Sequence, residues 1–246
     1  MRVFGLIGYP LTHSFSKKYF TEKFEKEHIP DCIYELFEIE SVSLFAHLIS
    51  SNPDIQGFNV TIPHKQAIMP LLDSLDDSAK FVGAVNVIKK SNQGKWIGYN
   101  SDYYGFMESL KKFLPVHFQG FKALVLGTGG AAKAVEAALK TLNIPYLLVS
   151  REAKLNHITY QAITPDLLAD YQLIVNTTPL GMFPKVESSP TLPYQALTNQ
   201  HYLFDLVYNP ADTLFLTKGK EQGAHTQYGL EMLHLQAEKA WEIWNL

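Results

Sequence analysis

The chain has 246 residues, enough for one large domain or two small ones, and its 46% hydrophobic and 18% charged composition is that of a folded protein with a sizeable core. A balance of 21 basic against 24 acidic side chains leaves a net charge of −3, which gives no electrostatic basis for nucleic acid or an anionic membrane surface as a partner. The single cysteine, Cys32, excludes an internal disulfide and a cysteine-based zinc site and fits a reducing cytoplasm.

The N-terminal apolar stretch is too short for a membrane span and lacks a cleavage pattern, so it is expected to be a strand running into a polar loop. Residues 3–8 (VFGLIG) read as a buried strand that ends before Pro10. Phe15, Tyr19, Phe20 and Phe24 recur at helical spacing among Lys and Glu, which predicts an amphipathic helix to about Ile29. Residues 32–39 fit a second strand, 42–49 a helix, and 58–62 a strand stopped by Pro63. AVNVIKK and KWIGYNSD read as two strands joined by a turn at 91–94. The pattern changes at Tyr103. A helix is expected over 104–113, a strand over 121–126, a glycine loop at 127–130, an Ala-rich helix over 131–142 and a strand over 145–150. Residues 173–177 and 202–207 are further buried strands, 211–222 a helix, and Leu230–Trp244 a long closing helix. Strands alternating with helices imply parallel βαβ units. The expected division places residues 1–103 with 225–246 in one domain and 104–224 in the other.

Residues 124–132 read LVLGTGGAA, a strand delivering Gly127, Gly129 and Ala132 in the order G-x-G-x-x-A. The first glycine permits a tight turn, the second lets backbone approach a pyrophosphate, and the third small residue lets the following helix pack on the sheet with its N-terminus toward the phosphates. The next strand ends at Ser150 and Arg151, with Glu152 and Lys154 following. A guanidinium there suits the 2′-phosphate of NADP, whereas Glu152 would repel it.

Small polar residues crowd other strand ends. Ser14 and Ser16 could be helix caps, Asn59, Thr61 and Asn86 turn residues, Lys65 a surface charge, and Asp102 the cap of the helix that follows. Beside a dinucleotide loop they gain a second meaning. A ketone that accepts hydride needs a proton donor, which a Lys can supply, and Ser, Asn and Thr suit a polyhydroxylated ring carboxylate.

GYPLTHSFS (8–16), FNVTIPHK (58–65), GAVNV (83–87), GYNSD (98–102) with Gly105, GTGGAA (127–132), VNTTPLGM (175–182), DLVYNP (205–210) and GLEMLHLQ (229–236) occur in this order over nearly the whole chain. Together they resemble the shikimate dehydrogenase family. The resemblance implies an α/β fold with an N-terminal substrate domain, a Rossmann-like NADP-binding domain and a cleft between them. The reaction implied is the reversible NADPH-dependent reduction of 3-dehydroshikimate to shikimate, a step toward chorismate and the aromatic amino acids.

It also implies roles. Lys65 and Asp102 form the catalytic pair. Ser14, Ser16 and Thr61 bind the carboxylate end. Asn59, Asn86 and Asp102 bind ring hydroxyls, and Tyr208 and Gln236 complete the pocket. NADP is lined by Gly127, Thr128, Gly129, Gly130, Ala131, Ala132, Ser150, Arg151, Asn176, Thr177, Thr178, Met182, Leu206 and Gly229. No metal is implied, and the expected form is a cytoplasmic monomer or homodimer. The chain departs from the family pattern at Lys17 (usually Pro), Ser101 (usually Thr), Glu152 (usually Thr) and Tyr228 (commonly Asp). Two other readings stay open: a quinate/shikimate dehydrogenase using NAD, and a non-catalytic NADP-binding regulatory module.

Overall fold

A computed structural model of the chain describes residues 1–11, 14–153 and 155–246. Thr12 and His13 of the THSFS segment, and Lys154 of the expected cofactor loop, lie outside the described residues. Backbone proximity separates two compact units, Met1–Ser101 with Ala237–Leu246, and Asp102–Gln236.

The first unit runs β1 (Arg2–Gly8), α1 (Phe15–Lys26), β2 (Cys32–Glu38), α2 (Phe45–Ser51), β3 (Ile55–Val60), β4 (Ser74–Leu75), α3 (Asp77–Val82), β5 (Val87–Lys90) and β6 (Trp96–Tyr99). Its sheet has the order β2-β1-β3-β5-β6-β4. Strand β1 pairs in parallel with β2 and β3, while β5 runs antiparallel to both β3 and β6. The hairpin read at 91–94 is therefore present, and the sheet is mixed.

Strand β1 explains why its sequence reads as one apolar run. Phe4 and Leu6 enter a core with Phe20, Phe24 and Trp244, whereas Ile7 enters another with Phe45, Phe58 and Trp96. Alternate side chains leave opposite faces of a strand, and both faces are covered here. Helix α1 begins at Ser14, whose hydroxyl accepts from the Lys17 amide at 3.2 Å, and carries Lys23 and Lys26 in its last turn, where cations suit the helix dipole.

The second unit contains α4 (Asp102–Phe113), β7 (Ala123–Leu126), α5 (Gly130–Thr141), β8 (Tyr146–Ser150), β9 (His157–Thr159), α6 (Pro165–Ala169), β10 (Leu173–Asn176), β11 (Tyr202–Asp205), α7 (Leu214–Glu221), β12 (His225–Tyr228) and the first half of α8 (Leu230–Trp244). All six strands are parallel, in the order β12-β11-β10-β7-β8-β9. The chain winds outward from β7 in both directions, which is the doubly wound order of dinucleotide-binding sheets. Every residue of β7 is fully buried, as a central parallel strand requires. The return to the first unit was expected at residue 225. It falls later, inside α8, because β12 pairs with β11 and adds a sixth strand to this sheet. Among the described residues no helix is long and apolar enough to cross a membrane.

Candidate active site

In the first unit the parallel strands β1 and β3 end at the same edge, the edge where open α/β sheets bind ligands. Backbone bonds there stitch three motif segments together. The Val60 amide donates to the Asn86 carbonyl (2.9 Å), the Val85 amide to the Lys65 carbonyl (2.8 Å), and the Asn86 amide to the Tyr99 carbonyl (3.1 Å).

A buried side-chain chain runs over this frame. The Tyr34 hydroxyl donates to Asn59 Oδ1 at 2.7 Å, and Asn59 Nδ2 reaches the Asn86 carbonyl at 3.4 Å. Asn86 Oδ1 accepts the Ser101 amide at 2.6 Å, and its Nδ2 donates to the Ser101 hydroxyl at 3.0 Å. An amide nitrogen has two hydrogens, so Asn59 and Asn86 each keep one for a ligand. Asn100 Nδ2 donates to the Ala84 carbonyl at 2.9 Å and locks GAVNV against GYNSD.

Ser16 lies close to the Tyr34 hydroxyl. The expected group Ser16, Asn59 and Asn86 is thus brought together. Ser14 is a helix cap, as its bland reading held, and Thr61 and Lys65 sit half-exposed on the turn that follows β3.

In the second unit the carboxyl ends of β7, β8, β10 and β11 share one edge and present Leu126, Ser150, Asn176 and Asp205. Gly127 has φ +109°, and a Cβ on it would lie 2.7 Å from Thr177 Oγ1, so the fold itself demands glycine there. Gly129 is different. Its φ of −80° and ψ of −173° suit any residue, and a Cβ on it would meet no protein atom within 4 Å. It is also the N-cap of α5 and offers no side-chain cap, so the helix's first amides are left as donors. Space and bare amides at this point fit a pyrophosphate. Ala132 is fully buried against the sheet, as the third fingerprint position requires.

Around this loop several expected cofactor residues turn out to shape the backbone. Thr177 Oγ1 donates to the Leu126 carbonyl at 2.8 Å and Thr178 Oγ1 to Asn176 Oδ1 at 2.7 Å. Asn176 Nδ2 donates to Asp205 Oδ1 at 2.9 Å, and the Ser150 hydroxyl donates to the Glu152 carbonyl. Gly229 is required because a Cβ would lie 2.3 Å from the Leu206 carbonyl oxygen. Thr128, Arg151 and Met182 are exposed, and Tyr208 is half-buried. Asp102 opens α4 and is buried, and Gln236 packs its backbone against Gly105 of α4, the glycine that lets α4 and α8 approach.

Asp205, given no role from the sequence, is fully buried and accepts three hydrogen bonds: from Asn176, from the Val207 amide at 3.0 Å and from Thr213 Oγ1 at 2.6 Å. Burial raises its carboxyl to about 6, against the pull of those donors.

Comparison with known proteins agrees with this arrangement. A family model described as the shikimate dehydrogenase substrate binding domain matches residues 6–88. A protein of Clostridium beijerinckii named shikimate dehydrogenase (NADP(+)) is 42% identical over 99% of this chain and 92% of its own length. The chain belongs to the shikimate dehydrogenase family. Shikimate dehydrogenase 1 of Peptoclostridium difficile superposes with a TM-score of 0.83 at 36% identity, covering 100% of this chain and 92% of that one. The Thermus thermophilus enzyme, solved in complex with NADP(H) and shikimate, gives 0.86 at 30% identity over 99% and 93%.

Against the family pattern, Lys17 leaves the cap of α1 intact and reaches Glu35 at 2.7 Å, a pair made possible by losing the usual proline. Ser101 keeps the hydroxyl that Asn86 uses. Tyr228 packs against the core formed by Ile174, Leu203 and Phe215. Of the residues that sequence reasoning passed over, Asp205 and Asn100 stand inside quoted motifs, and those motifs were the available signal. Tyr34 had none.

Proposed function

We propose that this chain catalyses the reversible NADPH-dependent reduction of 3-dehydroshikimate to shikimate. The observation that carries the reading is the open, uncapped α5 N-terminus at Gly129 on a doubly wound parallel sheet, in a chain whose other unit matches a shikimate dehydrogenase substrate binding domain.

NADPH, when bound, supplies the hydride that converts the ketone carbon to an alkoxide. Gly127, Thr128, Gly129, Gly130, Ala131 and Ala132 would hold its pyrophosphate through backbone amides, with Arg151 on the 2′-phosphate and Ser150 fixing the loop that carries it. Asn176, Thr177, Thr178, Met182, Leu206 and Gly229 form the remaining wall.

Lys65 Nζ passes a proton to the alkoxide oxygen and recovers one from solvent, while Asp102 accepts a hydrogen bond from a ring hydroxyl. Asn59 and Asn86 each donate their remaining amide hydrogen to ring oxygens. Ser14, Ser16 and Thr61 take the carboxylate, and Tyr208 and Gln236 close the pocket. A positioned general acid contributes about 10²–10⁴ in rate. The reading places the enzyme in the cytoplasm as a monomer or homodimer.

The test follows absorbance of reduced nicotinamide with shikimate or quinate, each with NADP or NAD. Shikimate with NADP is expected to give the highest kcat/KM. Turnover mainly of quinate with NAD, which exposed Glu152 would favour, replaces the substrate and cofactor assignment, and no turnover with any pair refutes the enzyme reading.

A further inference from the structure

We propose that Tyr34, buried on β2, is a positioning residue that helps fix the amide of Asn59 as a hydrogen-bond donor to substrate; this rests on the shikimate dehydrogenase reading above. Tyr34 is 2% exposed and its ring stacks on Phe20, with centroids 4.8 Å apart and planes 14° from parallel. A phenol held in an aromatic wall cannot swing to seek partners, so its hydroxyl has one fixed location.

The hydrogen of that hydroxyl goes to Asn59 Oδ1 at 2.7 Å. Two residues 25 positions apart in the chain, Tyr34 and Asn59, are therefore linked through one buried hydrogen bond.

The consequence is directional. An asparagine side chain presents either its oxygen or its nitrogen, and the two orientations have nearly the same shape. The Asn86 carbonyl can only accept, so it takes Nδ2 at 3.4 Å and leaves Oδ1 to the Tyr34 hydroxyl, which donates to it. Tyr34 and that carbonyl together hold the amide, with one hydrogen of Nδ2 on the carbonyl and the other left for the ligand. Asn59 is thereby selective for an oxygen acceptor such as a ring hydroxyl oxygen. Without the phenolic hydroxyl the fold keeps its stacked ring, but Asn59 Oδ1 loses its donor and the amide is held at Nδ2 alone.

The test is Tyr34→Phe in the full chain, with steady-state kinetics for shikimate and NADP separately and a melting curve. The proposal expects the shikimate KM to rise at least about tenfold, the loss that accompanies an unpaired polar group. It also expects the NADP KM to stay within about twofold and kcat to fall less than the shikimate KM rises. In an Asn59→Ala background the same Tyr34→Phe change is expected to have little further effect, since the two residues act through one bond.

An unchanged shikimate KM in Tyr34→Phe, or equal loss on both substrates, overturns the proposal while the wild-type activity stands. If Tyr34→Phe fails to fold, Asn59→Ala and Asn59→Asp in the wild-type background decide. Asp keeps the acceptor for Tyr34 but has no N–H, so it must raise the shikimate KM as Ala does, and a near-normal KM overturns the donor role. Absence of shikimate-dependent NADP reduction by the unaltered protein overturns the underlying reading, and this proposal with it.

Discussion

Replacing Asp205 by Asn tests whether the buried carboxylate at the end of β11 opposes folding at neutral pH. Its carboxyl rises from the ordinary 3.8 to about 6, with burial as the chief cause. The sign follows directly. Below about pH 4 both folded and unfolded chains hold the proton, and the group costs nothing. Between about pH 4 and 6 the folded state still holds a proton that the unfolded state has lost, so stability falls as pH rises, and above about pH 6.5 the loss is complete. At about 1.4 kcal/mol per pH unit, the rise from 3.8 to about 6 amounts to about 3 kcal/mol.

Asparagine removes the charge and can keep the bonds. Its oxygen can accept from Asn176 Nδ2 and the Val207 amide, and its nitrogen would face Thr213 Oγ1, whose hydroxyl can turn to accept. The variant should therefore be more stable than the wild type by up to about 3 kcal/mol near pH 7.5 and equal to it near pH 3. In a chain of this length that is a rise in melting temperature of about 6–12 °C at the higher pH only. Calorimetric melting of both proteins across that range is the assay. An Asp205→Asn protein that melts no higher near pH 7.5 and keeps the wild-type slope between pH 4.5 and 6.5 would refute the reasoning. Asp205→Ala should do the opposite, because it strands three donors at a cost of about 1–3 kcal/mol each.

Lys65→Ala should lower kcat by about 10²–10⁴ with a smaller change in shikimate KM, measured by steady-state turnover; a kcat within a few-fold of wild type removes Lys65 as the proton donor. Gly129→Val should leave the melting temperature within about 2 °C, since a Cβ there meets no protein atom within 4 Å, yet raise the NADP KM about tenfold or more; Gly127→Ala, at φ +109°, should instead lose about 1–2 kcal/mol in urea unfolding. Glu152→Thr should raise kcat/KM for NADP over NAD about fivefold, the value of removing one exposed like charge at close range, and an unchanged ratio places Glu152 away from the 2′-phosphate.

What could be read from the sequence depended on how local each signal was. Strands β7, β10 and β11 announced themselves because a central parallel strand is buried on both faces and must be apolar throughout. Strands β9 and β12 did not, because they are the two edges of that sheet and carry His157 and Thr159, and His225, Thr226 and Gln227, on partly solvated ladders. That one omission displaced the expected return to the first unit from within α8 to residue 225. Strand β3 was placed late because GFNV was visible as apolar while Ile55 and Gln56 before it were not patterned.

The site divides the same way. Glycines at fixed spacing report their own backbone needs, yet the spacing could not say that Gly127 and Gly229 serve the protein whereas Gly129 faces open space. Nor could it say that the polar residues of VNTT bond mostly to their neighbours. Motif membership marks a residue as needed by the site without saying whether it touches ligand or holds one that does. Asn59 and Tyr34 make the point most sharply. The motif contains Asn59, but its amide oxygen is held by a hydroxyl 25 positions away, in a strand with no sign of function in its sequence. Chemistry that depends on which atom of a side chain faces outward is written in the packing around it, and only the folded chain brings those residues together.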